Sequence, residues 1–308
     1  MRENKVVYGL IGYGGMGRWH TEILSNVPEA VIGGIYDIKE EKREEAKAKG
    51  FSVYETEEAM LADSDIDVVL IATPNDCHKP IAIRAMHAGK NVISEKPVTL
   101  SSADLLEMEK VAKETGKLFT VHQNRRWDDD FLIIKKLVEE QKLGHVFRIE
   151  SRVHGSRGIP GDWRKEKVHG GGMVLDWGVH LLDQILYMYG DRKIETVYAS
   201  LTNITNQEVD DGFTAILTFE GGTEVLVEVG TNNYISLPRW YVLGKDGTAV
   251  IRDWQLTGEI IRKTGKTEET VIPVKTAAGL TKTMAPRRED TIAKEDLPKV
   301  SGDIADFH

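Results

Sequence analysis

Cysteine is almost absent from this sequence. Cys77 is the one cysteine among 308 residues, so no disulfide can form within the chain and a reducing, cytoplasmic location is expected. Long apolar runs are missing as well, because no stretch approaches the ~20 residues that span a bilayer. The start, Met1–Lys5, leads into a short apolar segment interrupted by glycines, which lacks the long apolar core of a signal peptide. These absences predict no membrane association.

Positive charge is also in short supply. With 40 Lys and Arg against 49 Asp and Glu, the formal net charge is -9. Nucleic-acid binding requires concentrated basic residues, so the composition argues against nucleic acid as a partner. The remaining composition, 41% hydrophobic and 29% charged, matches a soluble globular protein. At ~100–200 residues per domain, the length predicts two domains.

The first 122 residues show the alternation of a parallel α/β fold. Short β-branched runs alternate with helical stretches, the pattern of a parallel sheet with crossover helices. We therefore predict a doubly wound Rossmann domain over residues 1–122, whose last helix begins at the N-cap Ser101 and ends at Gly116. The predicted strands are Val6–Ile11, Val31–Tyr36, Val68–Ala72, Asn91–Ser94 and Leu118–Val121. The predicted helices are Met16–Asn26, Lys39–Lys49, Glu57–Asp63, Cys77–Ala88 and Ser101–Thr115.

Residues 123–308 read differently, and we predict an α+β domain with a large, mostly antiparallel open sheet. Turn pairs such as Gly221-Gly222 and Asp246-Gly247 join several short strand candidates. The tail from about Lys275 is polar and mixed in charge, and its sequence is uninformative about structure. The predicted helices are Phe131–Gln141 and Met173–Tyr189. The predicted strands are Val146–Arg152, Thr196–Leu201, Thr214–Phe219, Thr223–Gly230, Trp240–Leu243, Thr248–Arg252, Glu259–Lys263 and Thr270–Val274.

A glycine motif follows the first predicted strand directly and leads into a helix, which is the context of dinucleotide binding. Gly12 permits the tight turn, Gly14 lets the backbone approach a pyrophosphate, and Gly17 allows close packing of helix on strand. The helix N-terminus offers unpaired N–H groups to the phosphates. The whole motif is Gly12-Tyr13-Gly14-Gly15-Met16-Gly17.

Asp37 lies 20 residues beyond Gly17 at the end of the second predicted strand, where an acid is expected to bind the ribose hydroxyls. The alternative is a plain helix N-cap, because the chain looks helical from Lys39 onward. The carboxylate favours NAD over NADP by repelling a 2′-phosphate. The positive charge of Lys39, which is close in sequence, weakens that preference. The sequence therefore predicts NAD or NADP as cofactor, with NAD favoured.

Two further segments follow predicted strands of the same sheet. Thr73-Pro74-Asn75 comes after the third strand and Glu95-Lys96-Pro97 after the fourth, so both lie at carboxyl ends, where open α/β sheets bind ligands. Lys96 could contact the nicotinamide and a substrate oxygen, and the alternative is a solvated loop lysine. His78 is a cofactor-site candidate with the alternative of an ordinary residue at a helix start.

A polar stripe crosses an otherwise apolar helix in the second half. Asp176 and His180 are four residues apart and share one face, with Asp183 and Gln184 a further turn along. One interpretation is a satisfied internal hydrogen-bond ladder. The other is catalytic: His180 takes a hydroxyl proton as hydride leaves the same carbon, Lys96 polarises the oxygen, and Asp176 holds a neighbouring hydroxyl and orients His180.

Other candidates surround this helix. Trp163-Arg164 could close over the cofactor or substrate, or serve as a packing anchor. Gln123–Trp127, with Asn124 and Arg125, could line the substrate crevice or form a hinge. Zinc bound by Asp176, His180, His169 and His154 is the competing chemistry, but the chain has no H-E-x-x-H motif or cysteine set, so we predict no metal.

Four separated matches, read together, resemble the Gfo/Idh/MocA family, named for glucose-fructose oxidoreductase and inositol dehydrogenase. They span most of residues 6–184, and their order is far more specific than any one of them. They are Gly12–Gly17 followed by Asp37, Ala72-Thr73-Pro74-Asn75 with His78, Glu95-Lys96-Pro97, and Gly170-Gly171-Gly172 leading to Asp176 and His180.

The resemblance implies an NAD(P)-dependent dehydrogenase acting on a secondary alcohol of a sugar, cyclitol or glycoside. It implies the catalytic set Lys96, Asp176 and His180, and a second domain whose open sheet often mediates homo-oligomers, as dimers or tetramers. The stretch Gln123–Asp128 looks similar to members acting on scyllo-inositol. Family members usually continue with closing helices that return to the first domain, so the resemblance implies a chain longer than one ending at Ile304–His308.

Two other functions stay open at this point. One is an enzyme with tightly bound NAD that cleaves glycosides after transient oxidation of the sugar. The other is a non-catalytic regulator that senses NAD(P), although such a sensor has no need of Lys96, Asp176 and His180.

Overall fold

The computed structural model describes residues 5–266 and 271–307. Its first half contains a five-stranded parallel sheet with the strand order β2-β1-β3-β4-β5, as the Rossmann prediction requires. The strands of this sheet are β1 (Val6–Ile11), β2 (Ala30–Tyr36), β3 (Val68–Ile71), β4 (Asn91–Glu95) and β5 (Phe119–His122).

Five helices connect these strands: α1 (Gly15–Leu24), α2 (Glu40–Ala48), α3 (Glu57–Ala62), α4 (His78–His87) and α5 (Ser102–Thr115). The predicted boundaries of α5 are confirmed by its caps. The Ser101 hydroxyl accepts a hydrogen bond of 3.1 Å from the Asp104 N–H, and Gly116 takes the left-handed conformation at φ 65°. Apolar side chains pack on both faces of the sheet, with Val69 and Ile71 on one and Leu10 and Leu70 on the other.

The second half is built on an eight-stranded sheet with the order β15-β12-β11-β10-β6-β9-β8-β7. Neighbouring strands are antiparallel except β6 and β9, which are parallel, so the expected mostly antiparallel sheet is confirmed. Its strands are β6 (Val146–His154), β7 (Ile194–Thr202), β8 (Gly212–Phe219), β9 (Thr223–Gly230), β10 (Trp240–Gly244), β11 (Gly247–Ile251), β12 (Gly258–Lys263) and β15 (Ile292–Glu295); β13 (Val274–Thr276) and β14 (Gly279–Thr281) form a separate hairpin.

Two helices cover one face of this sheet. Buried residues alternate along β8 and β9, as expected when one face of a sheet packs on a core and the other does not. The apolar sides of α6 (Asp129–Glu139) and α7 (Val179–Tyr189) supply Phe131, Ile134, Leu181 and Ile185 to that core.

The predicted helix Met173–Tyr189 is divided in the structure. Residues Val174–Gly178 form a π-helical turn, and the regular helix α7 begins only at Val179. Turns of this kind occur mostly within α-helices and often at functional sites, where they shift side chains out of the 3.6-residue register. Asp176 lies inside the turn, and His180 lies just beyond it.

The C-terminal part of the chain departs from the sequence prediction. Thr270 lies outside the described residues, and Val271–Pro273 form no strand, so the predicted strand Thr270–Val274 was wrong except at Val274. Farther on, β15 pairs with β12 and completes one edge of the large sheet, which the tail's polar composition concealed. Within the described ranges, no helix has the length and apolar character needed to cross a bilayer.

Candidate active site

The glycine loop between β1 and α1 has the shape that a phosphate-binding turn requires. Gly12 has φ 97°, and a Cβ there would lie 2.6 Å from the Ala72 carbonyl oxygen, so only glycine fits. A Cβ on Gly17 would collide with the Gly12 carbonyl oxygen. Beside Gly14 and Gly15, in contrast, no atom lies within 4 Å of an added Cβ. The loop therefore packs tightly at Gly12 and Gly17, and it leaves free space at Gly14 and Gly15, where α1 begins.

Asp37 follows β2 and fastens this loop. One carboxylate oxygen accepts a hydrogen bond of 2.7 Å from the Tyr13 N–H, and the other accepts one of 2.9 Å from the Lys39 N–H. Lys39 is itself the N-cap of α2, so Asp37 is not the helix cap of the alternative interpretation. The carboxylate lies at the loop's edge, where the sequence predicts ribose binding.

Lys96 and Asp176 meet across the two halves of the chain. The Lys96 ammonium donates to Asp176 Oδ1 at 3.0 Å and to the Asp176 carbonyl oxygen at 2.9 Å. Both side chains are about 15% exposed, which makes this a partly desolvated ion pair at the carboxyl edge of the parallel sheet. The alternative of a solvated loop lysine does not describe Lys96.

A second cation approaches the same carboxylate. Arg164 Nε lies 3.3 Å from Asp176 Oδ2, and its guanidinium stacks 4.6 Å from the Trp163 ring centre. Burial raises the pKa of Asp176, but the charges of Lys96 and Arg164 outweigh that effect, so its pKa lies below the usual value. Asp176 is therefore an anion at neutral pH, held between two cations.

His180 is a buried, neutral imidazole. His180 is only 5% exposed. Burial, with the positive charges of Lys96 and Arg125 nearby, lowers the pKa of His180 to about 2, whereas Glu95 opposes the shift. The ring is thus unprotonated at neutral pH and able to accept a proton.

Asp176 does not orient His180, contrary to the expectation from their spacing. Among the described residues, Asp176 and His180 share no hydrogen bond or ion pair, and His180 Nδ1 is buried without a partner. The physical reason is the π-helical turn Val174–Gly178, which breaks the four-residue alignment assumed for one continuous α-helix. The Asp176 carboxylate faces Lys96 and Arg164 instead.

The loops that carry Lys96 and Thr73 are joined by His78. Its ring is fully buried, with Nδ1 2.8 Å from the Pro97 carbonyl oxygen and Nε2 2.9 Å from the Thr73 carbonyl oxygen. Asn75 donates a 2.9 Å hydrogen bond to the Gly170 carbonyl oxygen and so ties the same edge to the glycine-rich segment before Asp176. The described contacts of His78 and Asn75 are with protein, and their cofactor contacts stay predictions.

A buried cluster behind Lys96 was not found from the sequence. Glu95 lies 2.8 Å from His20 Nε2 and 3.1 Å from His122 Nδ1, and it also accepts from the Lys96 N–H. Burial alone raises the pKa of Glu95, but the hydrogen bonds from His122 and His20 bring it below the usual range. These three residues come from α1, β4 and β5, so no local sequence signal groups them.

The metal alternative finds little geometric support at the predicted residues. His154 Nε2 lies 2.5 Å from Glu228 Oε1, and His169 Nδ1 lies 3.1 Å from Asp76 Oδ1. Both histidines therefore contact carboxylates other than that of Asp176. Among the described residues, the one group with ligand atoms near enough for a metal is His20, Glu95 and His122. There the nitrogens already point at Glu95 as in an ordinary hydrogen-bonded cluster.

A cavity of about 550 Å³ opens beside Asp176. One wall is aromatic: the Arg125 guanidinium stacks 4.1 Å from the Trp177 ring centre, and the Trp254 ring centre lies 5.9 Å from that of Trp177. Arg125 is also paired with Asp128 at 2.8 Å. Arg125 lines the cavity, and its role in substrate binding stays a prediction; Trp177 and Trp254 are further lining residues that sequence reasoning missed.

The chain matches two family models in sequence. Residues 6–123 match the oxidoreductase family with an NAD-binding Rossmann fold, and residues 131–250 match the GFO/IDH/MocA C-terminal domain. A solved NAD-binding protein from Listeria innocua is 51% identical and superposes with a TM-score of 0.94 over 99% of this chain and 88% of that chain.

Curated relatives are similar over shorter stretches. The uncharacterized oxidoreductase YdgJ of Escherichia coli is 35% identical over 59% of this chain and 53% of its own length. The scyllo-inositol 2-dehydrogenase (NADP(+)) IolW of Bacillus subtilis is 30% identical over 79% of this chain and 67% of its own length. The chain spans about half the length of the first curated relatives it matches.

Proposed function

The chain belongs to the GFO/IDH/MocA oxidoreductase family, and we propose that it transfers a hydride between a secondary alcohol of a sugar, cyclitol or glycoside and NAD or NADP. The observation that carries this proposal is the Lys96–Asp176 contact, with Nζ 3.0 Å from Oδ1. It joins the cofactor half to the substrate half at the carboxyl edge of the parallel sheet, where ligands bind in such folds.

Each polar group of the site has a distinct role in this proposal. Lys96 donates a hydrogen bond to the reacting oxygen and stabilises negative charge that develops there. His180, neutral because of its burial, accepts the hydroxyl proton at Nε2 while the carbon gives up its hydride. Asp176, kept ionised by Lys96 and Arg164, accepts a hydrogen bond from the neighbouring hydroxyl and so fixes the ring's orientation.

The residues of the glycine loop fit a dinucleotide. Gly14 and Gly15 leave open space where a pyrophosphate can approach the backbone, and the N-terminus of α1 directs unpaired N–H groups there. The Asp37 carboxylate would accept hydrogen bonds from the adenosine ribose, which favours NAD. When bound, the nicotinamide supplies the hydride-accepting ring. Thr73, Pro74, Trp163 and Arg164 are proposed to border it.

The cavity supports a polyhydroxylated ring as substrate. Trp177 and Trp254 give it an apolar wall, and Arg125 and Asp176 supply polar groups on the same cavity, the mixture typical of sites for small polar molecules. The relative IolW is named for scyllo-inositol, and Asn124 precedes Arg125 in the segment likened to such members. A cyclitol or pyranose is therefore the proposed substrate class.

We also propose that the chain forms a homo-oligomer through its large sheet. The edge strand β7 leaves Val197, Tyr198 and Leu201 more than half exposed, and a long edge strand with exposed apolar side chains favours pairing with another chain. A dimer or tetramer is expected, in a cytoplasmic location suggested by the lone Cys77.

The proposal is tested by following reduction of NAD and NADP with inositols, aldoses, sugar acids and glycosides, using the wild-type protein. Turnover with one group supports the dehydrogenase. Silence across the panel with tightly retained NAD supports transient oxidation during glycoside cleavage if glycosides are consumed. Reversible NAD binding with no chemistry at all supports the sensor and overturns the proposal.

A further inference from the structure

Two buried polar atoms on α7 lack partners on the same face of the helix. His180 Nδ1 and Gln184 Oε1 are both inaccessible and without a hydrogen bond among the described residues. The two residues are 5% and 0% exposed. Both lie within the regular helix Val179–Tyr189, and residues four apart in an α-helix are neighbours, with Cβ atoms about 5–6 Å apart.

Gln184 is held in one orientation. Its Nε2 donates a 2.6 Å hydrogen bond to the Arg125 carbonyl oxygen, which distinguishes the amide nitrogen from the oxygen. The Asn124 amide oxygen, one residue earlier in the same segment, is a further buried atom without a partner. Two acceptor oxygens and one ring nitrogen, all buried and without partners among the described residues, therefore belong to α7 and to residues 124–125, which the Gln184–Arg125 hydrogen bond holds together.

We propose that Gln184 is a positioning residue that sets the tautomer of His180, by accepting through one buried water the hydrogen bond that His180 Nδ1–H donates. Such a water accepts from Nδ1–H and donates its two hydrogens to the Gln184 and Asn124 oxygens, so that all three atoms are satisfied. The inference rests on the proposed function, because it explains how His180 serves as the base.

The chemistry of imidazole makes this role necessary. A neutral ring has one N–H and one lone pair, and the partner of one nitrogen decides which of the two carries the proton. A base that receives the substrate proton at Nε2 must carry its own proton at Nδ1. In the transfer, the substrate O–H bond breaks, an N–H bond forms at Nε2, Nδ1 keeps its proton, and the hydride leaves the carbon for the nicotinamide.

The charged groups around His180 do not provide this orientation. Lys96 and Arg125 are cations and donate hydrogen bonds, so they cannot accept from Nδ1–H. Glu95 acts on His180 at a distance and is engaged by His20 and His122, whereas Asp176 is engaged by Lys96 and Arg164. Gln184 is the acceptor on the helix itself.

The test compares Gln184→Met, which removes the acceptor at similar volume, with Gln184→Glu, which replaces it by a carboxylate. NMR of isotope-labelled histidine reads the tautomer of His180 without any substrate, and His180→Asn identifies its signal among the nine histidines. We expect the Nδ1–H tautomer in the wild type and its loss in Gln184→Met. An unchanged tautomer in that variant overturns the inference.

Kinetics provide the second readout. Gln184→Met should lower kcat by at least about tenfold with little change in the KM for NAD. Gln184→Glu should move the acidic limb of kcat/KM to higher pH, because a nearby anion raises the pKa of His180. The exposed Gln207→Glu is the matched control and should move neither. A merely structural role of Gln184 would lower kcat in Gln184→Met without changing the His180 tautomer, and that result contradicts the inference.

Different results would overturn the dehydrogenase assignment and the positioning role of Gln184. If wild-type protein shows the predicted tautomer and its loss in Gln184→Met but reduces no cofactor with any polyol, the positioning role stands and the dehydrogenase assignment fails. If the wild type turns over and neither variant alters the tautomer or the pH profile, the dehydrogenase stands and the role of Gln184 fails.

Discussion

The Lys96 ammonium lies 3.0 Å from Asp176 Oδ1 and 2.9 Å from the Asp176 carbonyl oxygen, although the two residues are 80 positions apart in the chain. The first follows β4 of the parallel sheet, and the second lies in the π-helical turn that precedes α7. Because both are mostly buried, their charges act in a medium where electrostatic effects are stronger than in water. This pair defines where the reacting oxygen is expected.

Replacing Lys96 by Met should lower kcat/KM for the polyol by about 100- to 1,000-fold, because the group that stabilises charge on the oxygen is lost. Steady-state kinetics measure this, and calorimetry should show NAD affinity largely retained. Lys135→Met, which removes a partly exposed lysine paired with Glu139, is the control and should keep wild-type kinetics. Near-wild-type turnover in Lys96→Met would refute the assignment.

Substitution by alanine should affect protein stability at Gly12 and NAD affinity at Gly14. Gly12→Ala forces a positive φ and a clash with the Ala72 carbonyl oxygen, so unfolding by urea should show a loss of about 1–3 kcal/mol. Gly14→Ala meets nothing within 4 Å and has φ -78°, so stability should hold while NAD affinity falls. Unchanged NAD affinity in Gly14→Ala would contradict binding of the pyrophosphate at the glycine loop.

Asp37→Asn should raise the ratio of kcat/KM for NADP to that for NAD by about tenfold, because the charge that repels a 2′-phosphate is gone. The amide oxygen can still accept from the Tyr13 N–H, which should keep the glycine loop in place, whereas the exposed hydrogen bond from the Lys39 N–H is lost. Kinetics with both cofactors measure the ratio, and the exposed Asp191→Asn serves as control. An unchanged ratio would remove Asp37 from cofactor selection.

The burial of His180 should make stability depend on pH. Its pKa is about 2 when folded and about 6.5 when unfolded, so between these values the unfolded chain binds more protons. The contribution is therefore fully present above pH ~6.5 and is lost as the pH falls.

Urea unfolding at pH 8 and pH 5 measures this dependence. Between pH 8 and pH 5, the free energy of unfolding of His180→Asn should fall by about 1–2 kcal/mol less than that of the wild type. His20 and His78, whose pKa values burial also lowers, remain in both proteins and cancel in the comparison. Equal losses would contradict the neutral state assigned to His180.

Local signals explain what the sequence predicted well. The glycine motif and the caps of α5 act within a few residues of the structure they determine, and Asp37 lies at a characteristic spacing from Gly17. These patterns could therefore be read directly. The strands of both sheets, with the exception of β15, follow from apolar and β-branched runs with the expected period. These signals placed Lys96 at a strand end and Asp176 near His180.

The remainder depends on contacts between distant parts of the chain. The pairing of β15 with β12 joins residues 292–295 to 260–263, and no periodicity in the polar tail announces it. The π-helical turn changes which side chains face Asp176, and the partner of Gln184 is the backbone of Arg125, 59 residues away. The Glu95 cluster likewise exists only after three elements have packed together.

The most direct test of the proposed reaction is the fate of the hydrogen on the carbinol carbon. Substrate deuterated at that carbon is incubated with the protein and NAD, and the cofactor is recovered for mass spectrometry and NMR. Hydride transfer at this site predicts deuterium on the nicotinamide ring in the wild type and, over the same time, far less of it in Lys96→Met or His180→Asn. Product formed with deuterium released to water, or reduced cofactor without label, would contradict hydride transfer at this site.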